Sequence, residues 1–403
     1  MRLAPFPECA LDRIPDLAFE TEGIVHHSAL RVDEHEVLTA SIVFFCSTAV
    51  LAPVQLLTGG AIARRRSLAV LFLLALATSA SAQQVEWADP SPHMTTFVTV
   101  QDEVRLEVLD WGGSGRPLVL LAGLGDTAHV FDDFAPMLAT RYRVLGVTRR
   151  AHGRSTASAA GYTATRLAED VVRVLEAAGV KKPVIVGHSF AGEELHVLGA
   201  RYSAQIAGLV YVDAAFNRAK GPEDYDAVAR TLPATPRPEP ADMASFTALR
   251  AFLTRTQGPA GPEAHLRARY VANPDGSVAR PWLPDLPVRQ AFTNEMQAMS
   301  AAYNPERIRV PALAISAVPK SAGDLMRPWY DSDDPVVRER VDTLYRLARQ
   351  RFARHAKWFA EFAEFADRGR ASEISGAHHL FLSNPRDVLE QIEAFMSSLP
   401  KTP

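Results

Sequence analysis

The stretch Pro183–Gly192, reading Pro-Val-Ile-Val-Gly-His-Ser-Phe-Ala-Gly, restricts the fold of this chain more than any other segment. Val184, Ile185 and Val186 form a β-branched apolar run of buried-strand type. Ala191-Gly192-Glu193-Glu194-Leu195 follows almost at once with helical composition. A strand that passes into a helix through Gly187-His188-Ser189 leaves no room for a loop. The serine must take a sharp, strained bend that lifts its hydroxyl above the sheet. Small residues on either side, Gly187 and Ala191, let the two backbones approach closely. Ala191 stands where the usual Gly-x-Ser-x-Gly pattern has its second glycine. Gly and Ser are also common in ordinary turns, so the weight of the reading comes from the flanking strand and helix.

The elements around this turn alternate. Thr96–Val100 and Val104–Trp111 read as an opening antiparallel pair with Asp102-Glu103 between them. Strands are predicted at Pro117–Ala122, Tyr142–Val147, Ile206–Val212, Pro311–Ala317 and Arg370–Ile374. Helices are predicted at Phe131–Leu138, Ala164–Ala178 and Pro385–Met396. A long helix follows Asp334 as N-cap and Pro335 at the first helical position, with Val337, Val341, Leu344, Ala348 and Phe352 along one stripe. Near-continuous apolar strands separated by helices imply an α/β fold, with a largely parallel sheet covered on both faces. Residues 216–306 break the rhythm. Twelve prolines fall between positions 217 and 309, with helix-like patches at Met243–Thr254 and Val288–Ala302. Phe246, Phe252, Trp282 and Phe292 argue against a disordered linker, so this stretch is expected to be an inserted lid. The core then comprises residues 95–215 and 307–400.

The beginning of the chain is unusual. Arg64-Arg65-Arg66, the apolar run Leu68–Ala77 and Ala80-Ser81-Ala82 compose a secretory signal over 64–82, with cleavage expected after Ala82 and a linker over 83–94. Residues 1–63 ahead of it read either as an upstream extension that is not part of the working protein or as a membrane segment. In the second case Val37–Leu57 would be a first span, although the ten residues Leu68–Ala77 fall short of the ~20 that cross a bilayer. The expectation is export, with membrane anchoring as the alternative. Both cysteines, Cys9 and Cys46, lie ahead of the cleavage point.

Net charge is −3, from 43 basic and 46 acidic residues, which provides no field for nucleic acid. No Gly-rich phosphate loop is evident, and no His/Cys/Glu cluster has metal-ligand spacing, so neither metal nor cofactor is expected.

A serine nucleophile needs a base, an orienting acid and an oxyanion hole. With the turn Gly-His-Ser-Phe-Ala-Gly and three further segments in the right order, residues 95 to 398 resemble serine-type α/β-hydrolase enzymes. The resemblance implies Ser189 as nucleophile. It implies the backbone amides of Phe190 and of Leu124, in Ala122-Gly123-Leu124-Gly125, as the oxyanion hole, although alanine replaces the usual histidine of that loop. Arg149-Arg150-Ala151-His152-Gly153-Arg154-Ser155 resembles the D-x-R-G-x-G-x-S loop, departing at Thr148 and Ala151, and is read as support for the turn. The base lies in Gly376-Ala377-His378-His379-Leu380-Phe381-Leu382-Ser383-Asn384-Pro385. Counting back from Phe-Leu-Ser-Asn-Pro selects His378, and counting forward from Gly-Ala selects His379; His378 is preferred. For the acid, the usual position after the strand at 311–317 holds no carboxylate. Asp213, at the end of Leu209-Val210-Tyr211-Val212, is placed ahead of Asp324. Glu193 and Glu194 suit the positive end of their helix.

The activity implied is hydrolysis of a small to medium carboxylic ester, or an amide, through an acyl-serine. Carbon–carbon bond hydrolysis and cofactor-free peroxidation are compatible with the same serine, since fold does not fix reaction. A non-catalytic exported protein binding a small ligand under the lid is the contrasting reading.

Overall fold

The computed structural model describes residues 87–215, 224–301, 308–362 and 369–400. The expected extension, signal segment, cleavage point, both cysteines, the start of the linker and the edges of the insertion lie outside these residues. Among the described residues no helix is long and apolar enough to cross a membrane.

Eight strands form the central sheet: β1 (Met94–Gln101), β2 (Val104–Gly112), β3 (Pro117–Leu121), β4 (Arg143–Val147), β5 (Val184–His188), β6 (Gly208–Val212), β9 (Ala312–Ala317) and β10 (Gly369–Ile374). A separate hairpin, β7 (Tyr270–Ala272) with β8 (Val278–Pro281), lies between β6 and β9 in the chain. The sheet order is β1-β2-β4-β3-β5-β6-β9-β10. β2 is antiparallel to β1 and β4, and every other pair is parallel.

Parallel pairing requires crossovers, and these helices cover the sheet on both faces. On one face, α2 (Ala164–Ala177) and α3 (Ala191–Arg201) bury Val171, Leu175, Leu195 and Leu198 against Val119, Ile185 and Leu209. On the other, α1 (Ala135–Ala139) and α10 (Pro385–Ser398) bury Leu138, Ile392 and Phe395 against Leu118, Val186 and Val210. Hence β5 and β6 are buried at every residue.

The expected single helix over Phe131–Leu138 is instead a 3-10 turn, Ala128–Phe131, followed by the short α1. Pro136 in the first turn of α1 explains the late start, because its ring suits only that end of a helix.

Between β6 and β9 the insertion carries α4 (Asp224–Ala229), α5 (Phe246–Gln257), α6 (Glu263–Arg269), the β7–β8 hairpin and α7 (Leu286–Ala301). Ser245 caps α5 by accepting from the Ala248 amide. Phe246, Leu249, Phe252, Leu266 and Val278 form a small core of the insertion's own. The hairpin was not anticipated, although Pro274-Asp275-Gly276, with Gly276 at φ +87°, is ordinary turn chemistry. After β9, α8 (Pro335–Phe362) starts as its cap predicts, with Asp334 Oδ1 accepting from the Val336 amide at 2.8 Å. Val337, Val341 and Leu344 are buried and pack with Leu232, whereas Ala348 and Phe352 are only half-buried. The last helical pieces are α9 (Leu380–Ser383) and α10.

One buried ion pair holds the segment beyond β4. Arg150, 1% exposed, makes a two-pronged contact with Asp170 of α2, at 2.7 and 2.8 Å. Its remaining N–H groups reach Ser158 Oγ, the Ala160 carbonyl and Gln101. Asp170 also binds Arg166, at 2.6 Å, and keeps that partner when Arg150 is lost; removing Asp170 instead strands the Arg150 guanidinium, at a cost of about 3–5 kcal/mol. Asp170→Ala should therefore lower the unfolding free energy in urea by about that amount. The double variant with Arg150→Ala should lose clearly less than the sum of the singles, as a double-mutant cycle would measure.

Candidate active site

Every candidate residue sits at the carboxyl edge of the parallel strands, where open α/β sheets form their sites. Ser189 follows β5 directly and has φ +53°. An L-residue in the left-handed region costs of order 1–3 kcal/mol and persists only when its surroundings dictate it. They do so here through absent side chains. A Cβ on Gly192 would lie 2.0 Å from the Ala214 carbonyl oxygen, and one on Gly187 would lie 2.1 Å from a Leu195 methyl. The Ser189 amide donates to the Val212 carbonyl at 3.2 Å, and its carbonyl accepts from Gly192 at 3.0 Å. The serine is 7% exposed. Among the described residues none hydrogen-bonds its hydroxyl.

The loop after β3 presses against this serine. A Cβ on Gly123 would fall 3.2 Å from Ser189 Cβ and 2.9 Å from His188 Nδ1, so only glycine allows the approach. The Gly125 amide donates to His152 Nε2 at 3.1 Å and the Asp126 amide to the Gly123 carbonyl at 3.3 Å. No hydrogen bond to a described residue takes up the Leu124 N–H between them. Buried Arg149 fixes the same loop. Its guanidinium donates to the Ala122 and Gly123 carbonyls at 2.9 and 3.1 Å and to Glu194 of α3 at 2.5 Å. It also lies 5.0 Å from the centre of the Phe190 ring. Glu193 and Glu194 are both buried, and Glu194 therefore serves Arg149 as well as the helix end. Ala151 has φ +59°, which accounts for the glycine usual at that place.

The two histidines after β10 engage different carboxylates. His378 Nδ1 lies 2.6 Å from Asp213 Oδ2. Asp213 follows β6 at φ +44°, its amide bonded to the Ile315 carbonyl at 2.6 Å and its Oδ1 accepting from the Ala317 amide at 3.1 Å. His379 Nε2 instead lies 2.9 Å from Asp126 Oδ2. Asp324 is brought to neither ring. Its carboxylate accepts from the Lys320 and Ser321 amides at 2.7 and 3.1 Å, closing a cap on the 3-10 turn Ala322–Leu325. Those amides hold it below the ordinary aspartate range.

Three members of this neighbourhood escaped the sequence reading. Asp126, His188 and His265 come from the β3 loop, the end of β5 and α6 of the insertion. His188 lies beneath the His378–His379 loop, with ring centres 4.5 Å from each, and its Nε2 donates to the His378 carbonyl at 3.1 Å. Asp126 Oδ1 is 3.2 Å from His265 Nε2. Burial raises the Asp126 carboxyl, but the His379 charge and the bonds from His265 and His379 outweigh it and hold the group well below its usual range. Burial chiefly, then the charges of His379 and His378, drive His188 far down. Their only sequence signal was position: Asp126 closes Gly-Leu-Gly-Asp, and His188 precedes the serine.

A cavity borders the site at Leu124. Its walls combine core residues, among them His152, with Tyr270, Trp282, Val288 and Phe292 of the insertion. His152 accepts from Gly125, so its Nε2 must stay unprotonated, while Nδ1 donates to the Arg150 carbonyl at 2.9 Å. Burial first, then the Arg149 charge, lowers it to about 4. The unfolded chain, with histidine near 6.5, binds more protons over that interval, so this residue's contribution is complete above about pH 6.5 and lost toward pH 4. Unfolding free energy, measured by urea titration at stepped pH, should fall over that window. His152→Gln, which keeps an acceptor but cannot titrate, should make the fall shallower.

Residues 118–391 match the sequence profile of the Alpha/beta hydrolase family. A non-heme haloperoxidase of Rhodococcus erythropolis is 35% identical over 120 residues, covering 29% of this chain and 43% of that protein. A bifunctional esterase/perhydrolase of Acinetobacter calcoaceticus is 34% identical over 113 residues, covering 26% and 39%. The chain thus spans less than half the length of these relatives. Among solved structures, the crystal structure of E-2-(acetamidomethylene)succinate hydrolase superposes with a TM-score of 0.51 at 19% identity, over 76% of this chain and all of that one. It is a likeness of fold.

Proposed function

This chain belongs to the alpha/beta hydrolase family, and from that premise we propose that it is a serine hydrolase cleaving small to medium carboxylic esters through an acyl-serine intermediate. The observation that carries the reading is the pair of strained strand ends. Ser189 projects from β5 at φ +53°, and Asp213 after β6 holds His378 Nδ1 at 2.6 Å. With Nδ1 so engaged, Nε2 is the nitrogen left to take the serine proton. Asp213 selects that tautomer and stabilises the imidazolium that forms. The serine oxygen attacks the ester carbonyl, and the Leu124 and Phe190 amides receive the oxyanion. His378 returns its proton to the departing alcohol, and water then releases the acid. The apolar cavity beside Leu124 suits one side of the ester, with the insertion acting as its lid.

A second reading of the released half-reaction draws on the relatives. Since they are named haloperoxidase and esterase/perhydrolase, the acyl-serine is also a candidate for attack by hydrogen peroxide, giving a peracid without any cofactor. The non-catalytic alternative drew on the missing carboxylate after β9, and the Asp213–His378 contact supports the catalytic reading instead. Export also remains our proposal: a mature chain beginning at Gln83, as mass spectrometry of its N-terminus would show, supports it, and retention of the preceding segment argues for anchoring.

Ser189 in the wild type should be labelled by a fluorophosphonate probe, and Ser189→Ala should abolish both labelling and ester turnover. Asp213→Asn should lower kcat by about 10⁴-fold, the scale associated with loss of the correct tautomer. Asp324→Asn should stay within about twofold of wild type. Absence of labelling in the wild type, or equal losses in the two Asn variants, would refute the assignment.

A further inference from the structure

Two pairs of residues far apart in the chain meet beside β2, against Glu107 and Trp111. Asp89 and His93 precede β1, and His129 and Asp132 lie on and just after the 3-10 turn that follows the Leu124 loop. Neither pair alone suggested a metal in the sequence, where no such cluster was expected. In the fold one ligand-type atom from each lies within 4.8 Å of the others. His93 Nε2 is 3.2 Å from Asp89 Oδ2 and 3.4 Å from Asp132 Oδ1. His129 Nδ1 is 3.3 Å from Asp89 Oδ2 and 2.8 Å from Asp132 Oδ2. A tetrahedral ion with bonds of about 2.0–2.1 Å has ligand-to-ligand edges of roughly 3.3–3.4 Å. Three of the four separations, 3.2, 3.3 and 3.4 Å, lie close to that value, the one to Asp132 Oδ1 among them, while His129 Nδ1 to Asp132 Oδ2 is shorter at 2.8 Å.

A second observation points into the same space. Asp132 Oδ1 is buried without a hydrogen-bond partner, on a residue only 4% exposed. An orphaned carboxylate oxygen is costly unless something fills its lone pairs. The far sides of the ligands are also provided for. Asp89 Oδ1 accepts from the Ser91 amide at 2.9 Å, and Thr95 Oγ1 lies 3.5 Å from His93 Nδ1. Fully buried Glu107 sets Oε1, a second orphaned oxygen, 3.8 Å from His129 Nε2. Carboxylates behind ligating histidines orient the ring and raise its basicity.

We propose that Asp89, His93, His129 and Asp132 form a tetrahedral binding site for a divalent transition metal of the zinc type. Two imidazoles and two carboxylates suit that ion, and four protein ligands make the site structural, with no position open for substrate. It would pin the segment before β1 to the turn that continues the Gly123–Asp126 loop, independently of the ester chemistry.

The full chain, produced with added zinc and dialysed, should retain about one zinc per chain by elemental mass spectrometry. Zinc should raise its Tm, and a chelator should lower it. The double variant Asp89→Asn/His93→Gln should lose at least about tenfold in zinc affinity while keeping its far-UV circular dichroism and a cooperative transition. His26, His27, His35, Cys9 and Cys46 offer other ligands in the same chain, so the comparison of wild type with variant decides. Wild type that retains no zinc and shows no Tm response overturns the proposal, as does a variant that retains zinc as well as wild type. If the double variant does not fold, His93→Gln alone is judged by the same affinity and Tm criteria.

Discussion

The arrangement at the serine depends on a buried guanidinium. Arg149 faces two carbonyls of the β3 loop, the carboxylate of Glu194 and the ring of Phe190. Charge this deep is stable only when its donors are satisfied, and the partners that satisfy it come from both halves of the proposed oxyanion hole. The Gly123 carbonyl is fixed from one side, and the helix that begins after Phe190 is fixed from the other. Burial first, and then this same arginine, suppresses protonation of His152, the residue that receives the Gly125 amide. A single positive group thus braces the spacing of the two loops and adds to the burial that keeps their support neutral.

Around that clamp the histidines divide by environment. His152, His188 and His265 are all pushed down chiefly by burial, the first and last to about 4. They are therefore neutral at ordinary pH and act as fixed donors and acceptors. His378 and His379 lie nearer the surface and each faces a carboxylate of its own. Adjacent residues of one loop are thereby separated into two different hydrogen-bonded systems, with His188 packed between the rings.

Much of this was legible from residue order. The strand–serine–helix turn, the Gly-Leu-Gly loop and the strand end at Asp213 are local signals, and each depends on a few consecutive residues whose backbone requirement is visible in their side chains. Strand alternation likewise foretold the sheet, because parallel strands buried on both faces leave unbroken apolar runs. The choice between His378 and His379 could not be made by counting, since two anchors in the same loop counted differently; it depends on which carboxylate each ring reaches across the fold. Asp126, His188 and His265 were missed for the same reason. Their association spans three separate elements, and nothing in any one of them announces the others. The Phe131–Leu138 helix failed locally, through Pro136, and the β7–β8 hairpin was overlooked within a proline-rich stretch read only for helices.

The way Asp213 is held has an evolutionary consequence. It follows β6, and its amide and carboxylate are bonded to Ile315 and Ala317, at the same carboxyl edge of the neighbouring parallel strand β9. Both bonds come from the sheet itself. On the proposed reading, in which Asp213 orients His378 and the segment between the two strands forms the lid, that segment could change in length and content while these two bonds persist. Selectivity would then be free to drift while the geometry at the acid stands still.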